Sequence, residues 1–275
     1  MGKFRITVGT LLTSALALST AAMVAAQPEI AIVPPGMVSP FYSGIISGAK
    51  PAAGKLGYKF VVVAPERESD FAGQAKIPVV VFNSLTDLPS GNVFAYVGYD
   101  QRAGGAKVAD YVNKIKHGKA KVAIIEGLPS SFTTERKGGF VDELKKFPGI
   151  KVVASQPGDW EREKSMNVAQ NILESNPDVD VFYGLSDEMA LGASQACKAA
   201  NKKGVAIIGI DGNPNAVDAV AKGDLTATLG TNPDLMGAKA IEVLNLAVKG
   251  KTSGKKVITD TTVIDKSNCA KFAQK

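Results

Sequence analysis

The run from Asp180 to Ala200 constrains the fold more than any other part of the chain. It begins apolar and rich in β-branched and aromatic residues, as a buried strand does. From Met189 the apolar residues recur on one helical face, and Gly204 ends the pattern. Ser186 and Asp187 fall at the turn between strand and helix, where they either only cap the helix or also contact a ligand. Small ligands bind at this carboxyl edge of open parallel sheets.

Strand and helix patterns alternate along the rest of the chain. Strands that alternate with helices of about 10–15 residues predict parallel sheets covered by helices on both faces. The pattern contains about ten strands, which is more than one compact unit of a 275-residue chain accommodates. We therefore predict an α/β fold with two doubly wound parallel-sheet domains.

The N-terminus has the pattern of a secretory signal peptide. Lys3 and Arg5 precede an apolar run, residues 6–24, that contains no acidic residue. Small residues then lead to a plausible cleavage site near Ala26, before Gln27. We therefore expect an exported protein that resides in a bacterial periplasm. No later run is long and apolar enough to cross a bilayer.

Composition and residue counts exclude several classes of function. The net charge is +6. The sequence has no dense basic patch with interleaved aromatic residues, so it does not predict nucleic-acid binding. His117 is the only histidine, so the sequence offers no Ser-His-Asp or Cys-His arrangement and predicts no catalytic residue. Cys197 and Cys269 with one histidine cannot form a tetrahedral zinc site, and we predict neither a metal nor a cofactor. The two cysteines either pair in an oxidising compartment or remain free.

Polar and aromatic residues follow several of the predicted strands. Carboxylates, amides and hydroxyls offer fixed hydrogen-bond donors and acceptors, and Arg presents a planar fork of donors. Aromatic faces cover the apolar C–H side of a sugar ring. Their shared placement at strand ends predicts a site for a small sugar or sugar alcohol. The candidates are Ser39, Phe41, Tyr42, Asn83, Ser84, Arg136, Trp160, Ser186, Asp187, Asp211 and Thr231, with Asn232 beside the last of them.

Four motifs carry a resemblance to a known family. They are Ser-Asp-Glu-Met-Ala-Leu-Gly-Ala at 186–193, Gly-Ile-Asp-Gly at 209–212, Ser-Gln-Pro-Gly-Asp-Trp at 155–160 and Asn-Pro-Asp-Leu-Met-Gly-Ala at 232–238. With these motifs the chain resembles, over nearly its whole mature length, the periplasmic sugar-binding proteins of the ribose-binding, type I class. Proteins of that class serve ABC transporters.

The resemblance implies two lobes joined by a three-segment hinge, with the ligand between them. The crossing segments fall near Tyr99-Asp100, Thr231-Asn232 and Asp260-Thr261. The resulting division is a signal peptide at 1–26, an N-terminal lobe at 27–99 plus 232–260, and a C-terminal lobe at 100–231 plus 261–275.

The same resemblance implies roles for individual residues. Phe41 and Tyr42 match an aromatic pair of the family, Trp160 matches its stacking aromatic, and Arg136 and Asp211 match two ligand-binding residues. Other positions depart from the family pattern, and these departures argue against ribose itself as the ligand. The departures are Ser39 in place of Asn, Asn83 in place of Asp, Ser84 in place of Arg, Ser186 in place of Asn and Thr231 in place of Gln.

The resemblance also implies partners. They are a small sugar or polyol, an ABC permease in the inner membrane and, as a further option, a chemoreceptor, and the protein is expected to be a monomer. Two alternatives stay open at this point. One is a secreted carbohydrate-active enzyme with Asp187 and Asp211 as its carboxylate pair. The other is a sensor that presents bound ligand for chemotaxis.

The first domain is shorter than the family pattern. Family members carry a helix, a strand and another helix before the Ile-Pro-Val-Val strand that begins at Ile77. Here only Glu66–Lys76 lies between the second predicted strand, which is followed by Pro65, and the strand that begins at Ile77. This connection is barely a minimal parallel crossover of about a dozen residues. We therefore expect an internal deletion that weakens the first domain and removes one ligand contact.

Overall fold

The computed structural model describes residues 28–34, 39–63, 78–85 and 93–273. The predicted signal peptide and the short connection Glu66–Lys76 lie outside the described residues. None of the described helices is long and apolar enough to span a membrane. The elements are β1 (Glu29–Ile32), α1 (Pro40–Lys55), β2 (Lys59–Val62), β3 (Val79–Phe82), β4 (Val93–Gly98), α2 (Gln101–Lys116), β5 (Ala120–Glu126), α3 (Ser131–Leu144), β6 (Ile150–Pro157), α4 (Arg162–Ser175), β7 (Val181–Gly184), α5 (Asp187–Ala199), β8 (Ala206–Asp211), α6 (Pro214–Lys222), β9 (Ala227–Gly230), α7 (Pro233–Val248), β10 (Lys256–Ile258) and β11 (Thr262–Asp265).

The larger sheet has six strands in the order β11-β9-β8-β7-β5-β6. All its neighbouring strands are parallel except β11, which pairs antiparallel with β9. An antiparallel edge strand is common on an otherwise parallel sheet, and the sequence pattern did not predict it. Strands β7 and β8 are buried along their whole length, as central strands covered on both faces are.

The remaining described strands form two smaller sheets. Strands β1 and β2 pair with each other in parallel, and β4 lies between β3 and β10 in a separate three-stranded parallel sheet. The prediction missed β10, because three residues at a sheet edge with alternating exposure give little pattern to read. Three connections lead between the smaller sheets with their helices and the larger sheet. They run from β4 to α2, from β9 to α7 and from β10 to β11.

Helices α2 and α3 touch backbone to backbone, which brings their side chains to one site. A Cβ atom added at Gly105 would lie 2.1 Å from the carbonyl oxygen of Arg136. One added at Gly139 would lie 1.9 Å from the carbonyl oxygen of Arg102. Only glycine allows this approach, and the close contact places Arg136 beside the start of α2.

The two cysteines are free and buried. Burial raises the pKa of the Cys197 thiol to about 11, so this thiol stays protonated and behaves as a small apolar side chain. The structure therefore follows the second of the two alternatives left open by the sequence.

Candidate functional site

A cavity of about 480 Å³ lies where the strands of the sheets end at their carboxyl edges. This volume and position are typical of a small-ligand site in an α/β protein. Eight of the eleven candidate residues line it. Those eight are Ser39, Phe41, Tyr42, Asn83, Arg136, Trp160, Ser186 and Asp211.

Arg136 is the central charged group of the cavity and is only 4% exposed. Its Nε donates to Gln101 Oε1 at 2.7 Å, and its Nη1 donates to the carbonyl oxygen of Leu185 at 2.5 Å. The same Nη1 lies 3.4 Å from Asp211 Oδ1. The protein thus fixes the guanidinium from two directions while one part of the side chain faces the cavity.

Two aromatic rings flank the Arg136 guanidinium. Its central carbon lies 5.7 Å from the centroid of the Tyr99 ring and 5.6 Å from that of the Trp160 ring. Both distances fit a cation–π contact. The Trp160 indole also lies against Gly127, where an added Cβ would come within 2.0 Å of the ring. Trp160 and the preceding Asp159 both have positive φ angles, so a tight turn presents the ring to the cavity.

Asp211 is the carboxylate that lines the cavity beside Arg136. Burial, partly offset by the charge of Arg136, raises the pKa of Asp211 to about 6. Its backbone φ of 133° lies in a region that L-residues rarely adopt. Thr231 holds this backbone, because its amide N–H and its hydroxyl both donate to the Asp211 carbonyl oxygen, at 3.0 and 3.1 Å.

Asp187 does not line the cavity. Its side chain is fully buried and accepts from Thr228 Oγ1 at 2.5 Å and from the Asn213 amide at 2.7 Å. Burial, with the nearby charge of Asp211, raises the pKa of Asp187 well above its usual value. Both carboxylate oxygens are therefore occupied, one by the turn that follows Asp211 and the other by Thr228 of β9.

Ser84 and Thr231 are the other two candidates that do not line the cavity. The backbone of Ser84 lies beside Gly98, where an added Cβ would be 2.9 Å from the Ser84 nitrogen. Thr231 is fully buried and acts on Asp211 instead of on the cavity. Asn232 accepts from the Leu235 amide as the cap of α7 and lines a separate open depression of about 760 Å³.

The aromatic pair predicted at the start of the first helix forms an apolar wall. The rings of Phe41 and Tyr42 lie edge to face with centroids 5.2 Å apart, and Tyr42 continues to Phe82 at 6.4 Å. Trp160 approaches the cavity from a different strand end. The cavity therefore combines hydrogen-bonding groups with aromatic surface from more than one side, as recognition of a sugar ring requires.

The sequence prediction missed two polar groups of the site. Glu188 lines the cavity. Its carboxylate accepts from Arg162 Nε and from Asn215 Nδ2, each at 2.9 Å. Gln101 is buried behind the cavity and contacts Arg136. Glu188 could have been found from its position in the first turn after Ser186. The loop after β5 adds further lining residues, and these are Leu128, Pro129, Ser130 and Phe132.

The chain belongs to the periplasmic binding protein domain family, whose model matches residues 70–252. It is 32% identical to the ribose import binding protein RbsB of Salmonella typhimurium, an alignment that covers 93% of this chain and 97% of that protein. It is 34% identical to the D-allose-binding periplasmic protein of Escherichia coli, with 89% and 91% covered. Both relatives extend over nearly the whole chain.

A solved structure shares the fold at comparable coverage. The periplasmic solute-binding protein of an ABC transporter from Actinobacillus succinogenes, with bound D-allose, superposes with a TM-score of 0.83. It is 26% identical and covers 89% of this chain and all of that chain. The predicted type I α/β fold and the prediction of a transporter-associated binding protein, not an enzyme, are confirmed. The alternative of a carbohydrate-active enzyme receives no support.

The alignment also bears on the short first domain. It spans 289 positions although it includes only 93% of the 275 residues. Roughly thirty positions of the relative therefore face gaps in this chain, which is about the length of a helix, a strand and another helix. The family model, moreover, begins to match only at residue 70.

Proposed function

We propose that this protein binds a small neutral sugar or sugar alcohol and delivers it to the permease of an ABC importer. One observation carries the proposal: a cavity at the strand ends joins the buried Arg136–Asp211 pair to aromatic walls. The family relatives support the ligand class, because their names include ribose, D-allose and xylitol.

The charges of the cavity favour a neutral ligand. Arg136 faces Asp211, and Glu188 already pairs with Arg162 outside the cavity. A charged ligand would have to compete with one of these pairs in a desolvated site, which is costly. A neutral polyol adds hydrogen bonds to the existing pairs without disrupting them.

The two lobes correspond to residues 27–99 with 232–260 and residues 100–231 with 261–275. Pairing of β10 with β4, and packing of α7 on α1, support the first grouping. Pairing of β11 with β9 supports the second. Rotation about the three connections near Tyr99-Asp100, Thr231-Asn232 and Asp260-Thr261 then closes the lobes on the ligand.

Periplasmic residence follows from the family. Cleavage of the leader near Ala26, monomeric behaviour and recognition of the closed form by a chemoreceptor are further parts of the proposal. The leader composition supports the first of these.

Thermal unfolding followed by the fluorescence of Trp160, the only tryptophan, tests the proposal. A panel of pentoses, hexoses and sugar alcohols should contain at least one compound that raises the Tm, since a ligand bound only to the folded state stabilises it. Arg136→Met should abolish the shift. Lys137→Met is the matched control, because Lys137 pairs with Glu126 away from the cavity. A shift produced only by charged solutes would contradict the proposed ligand class.

A further inference from the structure

Gln101 is a buried polar residue at an unusual place. It is the first residue of α2, directly after the Tyr99-Asp100 connection, yet it is only 7% exposed. Glutamine side chains are mostly exposed in folded proteins. A buried amide costs free energy unless its hydrogen bonds are made, so its partners explain its position.

Both ends of the Gln101 amide are occupied by residues of the site. Its Oε1 accepts from Arg136 Nε at 2.7 Å. Its Nε2 donates to the carbonyl oxygen of Asn83 at 2.9 Å and lies 3.4 Å from Asn83 Oδ1. One side chain therefore connects two residues that line the cavity.

Helix capping does not account for Gln101. The side chain of the preceding residue, Asp100, already caps α2 by accepting from the Ala103 amide at 2.9 Å. The hydrogen bonds of the Gln101 side chain are all made to residues outside α2. Its partners are instead the charged group of the cavity and the end of β3.

The two partners of Gln101 belong to different sheets. Asn83 follows β3 of the three-stranded sheet, whereas Arg136 lies on α3, which packs on α2 beside the six-stranded sheet. Any rotation of one sheet relative to the other changes the distance between Asn83 and Arg136. The Gln101 bonds are thus made fully in only one arrangement of the two sheets.

We propose that Gln101 is a positioning residue that fixes the Arg136 guanidinium for sugar binding and couples it to the arrangement of the two lobes. The inference rests on the proposed function and extends it. Without the Gln101 acceptor, the Arg136 Nε proton is left unpaired in a buried site, and the guanidinium turns from its position between Tyr99 and Trp160.

The test compares two substitutions of Gln101 with a matched control. Gln101→Met keeps the length of the side chain and removes both hydrogen bonds. Gln101→Glu keeps an acceptor for Arg136 but places an oxygen against the Asn83 carbonyl. Gln195→Met makes the same chemical change at an exposed position of α5. The sugar that gives the largest Tm shift in the panel serves as the probe.

We expect Gln101→Met to raise the Kd at least about tenfold. Gln101→Glu should raise it less, and Gln195→Met should leave it unchanged. Trp160 emission of the unliganded protein gives a second readout, because its ring lies 5.6 Å from the guanidinium carbon. It should change in Gln101→Met and not in Gln195→Met.

The two readouts separate this inference from the proposed function. If the parent protein binds no sugar, the proposed function fails, but the emission of the unliganded variants still decides whether Gln101 positions Arg136. Binding within twofold of the parent together with parent-like emission in Gln101→Met would overturn the inference. If Gln101→Met does not fold, Gln101→Glu, which keeps the acceptor for Arg136 and loses the donor to Asn83, tests the coupling, and a Kd within twofold of the parent would overturn it.

Discussion

Among the described residues, the six-stranded sheet and the smaller sheets differ in the number of their strands and in how deeply the outer strands are buried. The central strands β7 and β8 are buried throughout, and β4 in the three-stranded sheet is buried at five of six positions, whereas the outer strand β3 is half-buried at all four positions and β2 is half-buried at two and exposed at two. The described strands of the first region are moreover divided between a two-stranded and a three-stranded sheet. Sheets of so few strands are marginal by themselves, so this region depends on the helices that pack on it.

This difference also divides the binding site. The six-stranded sheet and its helices contribute Arg136, Trp160, Ser186 and Asp211. The region of the smaller sheets contributes the aromatic pair and Asn83. The charged residues of the cavity therefore lie on the region whose central strands are buried throughout. The aromatic wall lies on the part that the short connection is expected to weaken.

The largest expected effect is unequal local stability. Backbone amides of β7 and β8 should exchange with solvent only on global unfolding, whereas those of β1, β2 and β3 should exchange through local opening. We expect the free energies of opening to differ by about 3 kcal/mol or more. Amide hydrogen exchange followed by mass spectrometry measures both. Equal protection of the two regions, with one cooperative transition, would remove the predicted weakness of the first domain.

Paired glycine substitutions sharpen the comparison. Gly139→Ala pushes a methyl group against the backbone of α2, and Gly48→Ala pushes one to 1.9 Å from the carbonyl oxygen of Asp234 on α7. Each should cost about 3 kcal/mol in urea unfolding. We expect the region of the smaller sheets to unfold at a lower urea concentration than the six-stranded sheet. Gly139→Ala should lower the urea midpoint of the six-stranded sheet, and Gly48→Ala should lower only the midpoint of the smaller sheets.

The control for this pair is Gly54→Ala, because an added Cβ at Gly54 has no neighbour within 4 Å. It should leave stability unchanged or raise it by up to about 1 kcal/mol through helix propensity. A destabilisation at Gly54 as large as at Gly139 would show that steric contact is not the cause.

A smaller effect concerns pH and the carboxylate of Asp211, at the end of β8 in the six-stranded sheet. The folded-state pKa of Asp211 is raised to about 6, so the folded protein binds this proton more tightly than the unfolded chain. The resulting stability is fully present below the ordinary pKa of 3.8 and is lost as the pH rises through about 6. Relative to Asp211→Asn, the parent should lose about 2 kcal/mol between these values. Urea unfolding at several pH values measures the difference, and a constant difference would contradict the raised pKa.

The smallest effect compares two helix starts. Asp100 caps α2 with its side chain, whereas Ser39 at the start of α1 makes no side-chain cap hydrogen bond. Asp100→Ala should cost about 1 kcal/mol, and Ser39→Ala should change stability little. Thermal unfolding of both variants without ligand provides the measurement. Equal losses would mean that Ser39 contributes an interaction other than capping.

Local sequence patterns were sufficient to predict the strand–helix alternation and to name eight residues that the structure brings to one cavity. Ser186 and Asp211 could be placed at strand ends because periodicity marks where a strand stops. Side-chain direction could not be predicted in the same way. Asp187 turns towards Thr228, two strands away along the sheet, and Gln101 turns inward to Arg136. Such contacts depend on which elements become neighbours, and one sequence does not contain that information locally.

The glycine contact between α2 and α3 has a consequence for how ligand preference can change. Gly105 and Gly139 set the distance between the two helix backbones. The backbone position of Arg136 is therefore fixed by this contact and not by the side chains of the cavity wall. Substitutions at the cavity wall can therefore accumulate around a stationary cationic anchor. Ser39 and Ser186 line the same cavity as Arg136, so in the proposed site their departures from the family pattern change the shape of the cavity wall and not the position of Arg136. Ligand preference can thus diversify among relatives without any redesign of the scaffold.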